Sequence, residues 1–283
     1  MRFRSRFPNP VWVLLTIILF SGRGLPQAIE KTTPNPLKSF VATVGGEILH
    51  VASSPLRMSK DDALRLTSFT LMSAGIAYGF DQPVHEEFVL ERHSLYTQSS
   101  GGFVKLGELY DEVGSKNIAL GLSAGMIGSG LIFNDKKLLE TSRLMIESFV
   151  IAGAITTLGK HVLGRARPYT GRGPYDLNAL QFRGGEDFLS LPSGHATSAF
   201  AMMTVIAKQY PQWWIKIPAY TLAASVALQR IDSRNHWPSD VFVGGVIGYW
   251  VGSMLVNHTR EKSGKILLDP YFAANRAGVR IRF

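Results

Sequence analysis

The chain has 283 residues, of which 46% are hydrophobic and 18% charged; this is enough apolar material for a substantial core and too much for a disordered chain. It contains no cysteine, which excludes a disulfide framework, a thiolate nucleophile and a Cys-ligated zinc site. The net charge of +9 suits anionic partners. The basic residues are nevertheless scattered, apart from Arg2, Arg4 and Arg6 at the start and Arg276, Arg280 and Arg282 at the end. With no basic stripe interleaved with aromatics, nucleic acid is not an expected partner.

In chain order, the first three arginines precede an uncharged apolar run, Val11 to Phe20, and the small residues Ser21, Gly22 and Gly24 come after it. This is the layout of a secretory signal peptide, and the run is short for a bilayer span. Residues 1–24 are therefore expected to be a signal peptide or anchor that exports the rest of the chain. Residues 25–58, with Pro34 and Pro36, read as a linker and N-terminal segment.

Helical patterns dominate from Ser59, where Asp61 and Asp62 would fall in a first turn. Helices are predicted over 59–80, 117–133, 138–162, 195–210, 213–229 and 240–257. They imply an all-α domain over 59–258, a bundle of about six helices with its site at one end. The charge-free cores are shorter than the roughly 20 residues of a typical spanning helix. Glu147 and Lys216 interrupt two of them. Frequent Gly, Ser and Thr suit tight helix packing in lipid or in a compact soluble bundle. The tail, 259–283, ends in Gly278-Val279-Arg280-Ile281-Arg282-Phe283, an alternation that predicts a short strand. A terminal Phe on such a strand also resembles the last strand of an outer-membrane barrel, but one strand makes no barrel.

Three clusters carry chemistry: Lys160 with Arg167-Pro168, then Pro192-Ser193-Gly194-His195, then Arg230 with His236 and Asp240. Lys160 and Arg167 lie at a helix end, where Pro168 discourages continuation. Arginine offers a planar fork of donors to phosphate, and lysine a compact charge. Ser193 is placed as an N-cap, and the free N–H groups beside Gly194 form an anion site with His195 in the first turn. Pro238 suits the first position of the next helix, which puts Asp240 in its first turn, within reach of the His236 ring. A carboxylate on one ring nitrogen fixes the tautomer and leaves the other nitrogen free to attack. The two helices predicted over 195–210 and 213–229 leave and return as a hairpin, so the clusters can converge at one end of the bundle.

Lys-x6-Arg-Pro, Pro-Ser-Gly-His and Arg-x5-His-x3-Asp, in this order, resemble the three-part signature of the type 2 phosphatidic acid phosphatase and vanadium haloperoxidase superfamily, over about residues 140–257. The resemblance implies that Lys160, Arg167 and Arg230, with Ser193 and the Gly194 backbone, hold phosphoryl oxygens. It implies that His195 protonates the leaving oxygen, His236 is the nucleophile and Asp240 orients it. One departure is Gln229, where the family's third motif usually has Ser before its Arg. Ser233-Arg234 has the wrong spacing to His236 to supply that pair.

The expected activity is a metal-independent phosphatase acting on phosphomonoesters or pyrophosphates, with lipid phosphates such as phosphatidic acid or isoprenyl pyrophosphate as substrates, a phosphohistidine intermediate and no cofactor. The alternatives are a vanadate-dependent haloperoxidase and a non-catalytic envelope protein that binds anionic lipid. Membrane association is expected. The short apolar cores and the exported start favour a folded bundle in the cell envelope or periplasm; the alternative is a multi-pass inner-membrane protein whose site faces outward. Oligomeric state is not legible. His50, His85, His93, His161 and His258 lack metal-ligand spacing. Glu147 is read as structural, and the polar stretch from Asp81 to Tyr110 as a cover over the site entrance.

Overall fold

A computed structural model describes residues 36–90, 95–180, 182, 185–262, 264, 267–273 and 276–282. The expected signal peptide or anchor lies outside the described residues. The chain divides into two units, 1–42 and 43–283, and the helical bundle belongs to the second.

Helix α1, Pro36–Ala52, enters the second unit within the stretch read as a linker. Helix α2, Lys60–Gly79, begins with the expected capping box: Ser59 Oγ accepts from the Asp62 N–H at 3.2 Å, and Asp62 Oδ2 accepts from the Ser59 N–H at 3.1 Å. Helices α3, Asp81–Leu90, and α4, Leu95–Val113, replace the expected polar cover. Asp81 and Tyr110, at its two limits, are buried. Helix α5 is Ser115–Ile132. Helix α6, Lys136–Leu163, starts on Asp135, whose Oδ1 accepts from the N–H groups of Lys137 and Leu138. Helices α7, Gly194–Gln209, α8, Trp213–Asp232, and α9, Pro238–Lys262, complete the bundle. Among the described residues there are thus nine α-helices rather than about six, the additions being α1, α3 and α4. The tail strand forms as half of an antiparallel hairpin, β1 (Leu267–Ala273) with β2 (Arg276–Arg282), in which Leu268 faces Ile281 across the ladder.

Helix α7 is the centre, packed by α6, α8 and α9, while α4 lies on α8 and α5 on α6. Leu144 and Met145 of α6, Met202 and Val205 of α7, Val226 of α8 and Val251 and Leu255 of α9 form one buried cluster. A row of glycines on α9 sets its distance from α7. A Cβ added at Gly244 would lie 2.6 Å from Ser193 O, at Gly248 2.3 Å from Thr197 O, and at Gly252 2.7 Å from Ala201 O. The two backbones therefore touch, and the N-terminal ends of α7 and α9, which carry Ser193 and Asp240, are held side by side: the Ser193 N–H donates to Asp240 O at 3.0 Å.

The outer faces of several helices are apolar. Leu64, Leu66, Leu71 and Met72 of α2 are exposed, and α2 has no buried residue. So are Leu131 and Ile132 of α5, Val150 and Leu158 of α6, and Trp213, Trp214 and Ile217 of α8. Among the described residues, α9 is the helix long and apolar enough to cross a membrane, and half of its apolar window is buried.

Candidate active site

The residues of all three clusters meet at one end of the bundle. Helix α6 stops because Gly164 takes a left-handed conformation (φ 55°) against the chain at Asn178, where a Cβ would sit 1.8 Å from a carbonyl oxygen. Lys160, in the last turn, points its Nζ to Leu189 O at 2.5 Å, and its Cε lies 3.8 Å from where a Cβ on Gly194 would stand. Arg167 is held from the side, donating to Asn235 Oδ1 at 3.2 Å, with Glu186 at 3.7 Å. Arg230 is near the end of α8, and its backbone carbonyl accepts from the His236 N–H at 3.1 Å.

Ser193 occupies the N-cap position of α7 but makes no capping hydrogen bond; its hydroxyl is buried and unpartnered. Arg167 Nε and Arg230 Nε are likewise buried without an acceptor. Buried donors normally find partners. Three orphans on three of the five predicted anion ligands, beside the N-terminus of a helix, make a site shaped for an oxyanion.

His236 lies in the connection between α8 and α9 and is 3% exposed. Its Nδ1 is 2.7 Å from Ser190 O. A carbonyl only accepts, so Nδ1 carries the hydrogen and Nε2 keeps its lone pair. Burial, followed by the charges of Lys160, Arg167 and Arg230, pushes the His236 pKa well below the usual histidine value, which favours the neutral ring. The carboxylate of Asp240 is not on this ring but 4.0 Å from Nδ1. Instead Oδ2 accepts from Ser190 Oγ at 2.5 Å and from the Trp237 N–H at 3.0 Å, reaching back to cap its own helix. Asp240 thus holds the Ser190 segment whose carbonyl holds His236.

Behind Asp240 stands a buried network that the sequence patterns do not reveal. Arg165 donates to Asp240 Oδ1 at 2.6 Å, to Asp81 Oδ2 at 2.7 Å and to Pro174 O at 2.7 Å. Ser239 donates to Asp81 through its N–H at 2.8 Å and its hydroxyl at 2.6 Å. The doubled arginine of Gly164-Arg165-Ala166-Arg167 was the available signal for Arg165; Asp81 had none. His195 was expected, but its partner was not: Asp111 of α4 places Oδ1 3.2 Å from His195 Nε2 and also pairs with Arg230.

The model of the PAP2 superfamily matches residues 142–263, a segment that contains all three clusters. A lipid A 1-phosphatase of Porphyromonas gingivalis is 25% identical over 267 residues, covering 86% of this chain and 51% of that protein. An undecaprenyl-diphosphatase of Sulfolobus acidocaldarius is 30% identical over 127 residues, covering 44% of this chain and 58% of that protein. The chain thus spans only part, about half, of the length of these curated relatives. Among solved structures, a transmembrane PAP2-type phosphatidylglycerolphosphate phosphatase of Bacillus subtilis superposes with a TM-score of 0.51 at 22% identity, over 72% of this chain and 98% of that one, and so shares its fold. The helical bundle, the order of the three clusters and the matched segment agree, and it is as residues 142–263 that the chain matches the PAP2 superfamily.

Proposed function

We propose that the protein is a metal-independent phosphatase that acts on a lipid phosphate or diphosphate through a phosphohistidine on His236. The observation that carries this reading is the trio of buried, unpaired donors (Arg167 Nε, Arg230 Nε and Ser193 Oγ) around a buried histidine with a free Nε2. In this mechanism Lys160, Arg167, Arg230, Ser193 and the Gly194 N–H hold the phosphoryl oxygens. Nε2 of His236 attacks phosphorus as the bond to the leaving oxygen breaks, and His195 gives that oxygen its proton. Water then attacks the phosphohistidine, the P–N bond breaks, and His195 takes a proton from the water. Asp240 acts at one remove, through Ser190.

The relatives named for lipid A and undecaprenyl diphosphate support a lipid substrate. The apolar outer faces of α2, α5 and α8 support a place in a membrane, more than the soluble envelope bundle that the short apolar cores had favoured. In water, exposed Leu66, Leu71 and Trp214 would be an aggregation hazard; in lipid they are in their preferred solvent.

The test is phosphate release from phosphatidic acid in detergent micelles. Activity is expected to persist in EDTA, because the cations and helix N–H groups meet the charge, and to be inhibited by vanadate, which can take five-coordinate geometry beside His236. Loss in EDTA with recovery on adding a divalent ion would overturn the metal-independent mechanism, and bromide oxidation by the vanadate-loaded protein with peroxide would indicate a haloperoxidase. His195→Ala is expected to slow kcat by roughly 10²–10⁴, the worth of a positioned general acid. The loss should be smaller for p-nitrophenyl phosphate, whose leaving oxygen needs little protonation.

A further inference from the structure

The phosphohistidine mechanism leaves the carboxylate beside His195 unused. Helix α4 lies directly on α8, with Gly107 so close that a Cβ there would be 2.5 Å from Ser225 O. One turn further along, Asp111 meets both Arg230 and His195, with Oδ1 3.2 Å from Nε2 of the imidazole. At this distance the two form an ion pair when the imidazole is protonated.

Resting on the phosphatase reading, we propose that Asp111 is the positioning residue of the general acid: its carboxylate fixes the His195 ring and stabilises the imidazolium that must give its proton to the leaving oxygen. The surroundings of His195 otherwise oppose that ion. Lys160 faces it from α6, Arg167 from the connection after α6 and Arg230 from α8; Asp111 from α4 is the facing carboxylate. Burial comes first, and with Arg230, Lys160 and Arg167 it lowers the His195 pKa to about 4, while Asp111 pulls the other way. The incoming phosphate adds negative charge that offsets the cations, and Asp111 supplies the part that remains fixed on the protein. In the first step the His195 proton passes to the leaving oxygen as the P–O bond breaks, leaving neutral imidazole beside Asp111. In the second, water restores that proton as the P–N bond breaks. The same carboxylate ties the acid to a phosphate ligand, because Arg230 shares it.

The experiment uses the full chain in detergent micelles, with Asp111→Asn, Asp111→Glu and His236→Ala assayed side by side on phosphatidic acid and p-nitrophenyl phosphate. Asp111→Asn keeps the acceptor and the volume but removes the charge. Its kcat on phosphatidic acid is expected to fall by roughly 10², within the range of general-acid effects. The loss on p-nitrophenyl phosphate should be at least about ten-fold smaller, and the basic limb of the kcat–pH profile should move to lower pH, because an imidazolium without its counter-charge loses its proton sooner. Asp111→Glu should recover part of the loss and move the limb back. Equal losses on both substrates with an unmoved pH profile, or no loss at all, would overturn the inference and leave the phosphatase reading standing. Full turnover in His236→Ala would instead remove the phosphatase mechanism itself, whatever Asp111→Asn does.

Discussion

His236→Ala is expected to lower kcat for phosphate release by at least about 10⁴-fold, since removal of a nucleophile leaves only what binding and electrostatics contribute. No other side chain at the site combines burial, a ring nitrogen with a free lone pair and proximity to all three cations. The protein should stay folded. The substitution leaves the buried Ser190 carbonyl without its partner, which costs about 1–3 kcal/mol. Two measurements check this: far-UV circular dichroism of the variant, and rapid-quench trapping of a phosphoenzyme that is stable in alkali and labile in acid. Wild-type protein should show that species and the variant should not. A phosphoenzyme of undiminished yield in His236→Ala would assign the nucleophile elsewhere.

The second large effect is on stability. Arg165→Leu should destabilise the fold by about 3–5 kcal/mol, the usual consequence of removing one partner of a buried ion pair. Arg165 is 4% exposed and bridges Asp81 and Asp240, both fully buried, so its loss strands two carboxylates at once. For a domain of this size that corresponds to a fall in Tm of roughly 6–20 °C. Thermal unfolding in detergent reads it directly, and kcat at a permissive temperature should also fall, because Asp240 would no longer be anchored behind Ser190. An unchanged Tm would mean that the two carboxylates find other partners and that the network does not brace the site.

What the sequence made legible were residues whose chemistry is written in short strings. Lys160, Arg167, Ser193, His195, Arg230, His236 and Asp240 sit within three local patterns, and the predicted helix α7–α8 hairpin was enough to bring those patterns together. The residues that were missed are positioned by packing between distant parts of the chain. Asp81 reaches Arg165 and Ser239 across long stretches of sequence, and Asp111 reaches His195 because α4 settles onto α8. Helix α4 itself escaped because Gly101, Gly102 and Gly107 lower its intrinsic helix propensity, yet Gly107 is what permits the close approach. The role given to Asp240 shows the limit of spacing arguments. Its place in the first turn was correct, but whether its carboxylate touches His236 or the segment beside it depends on Ser190 and Arg165, which lie elsewhere in the chain.

The row of glycines along α9 has a bearing on how the site behaves in different surroundings. Helices held apart by long side chains can breathe as those side chains change rotamer, and their spacing drifts with the lateral pressure of the medium. Here Gly244, Gly248 and Gly252 bring α9 against the main chain of α7, so the gap between the helix that carries His195 and the helix that begins beside His236 is a hard stop rather than a cushion. The span between His195 and His236, the acid and nucleophile of the proposed mechanism, is thereby gauged by main-chain atoms. On the proposed reading, a site built this way can meet thick or thin, fluid or ordered lipid and still offer a phosphoryl group the same calliper.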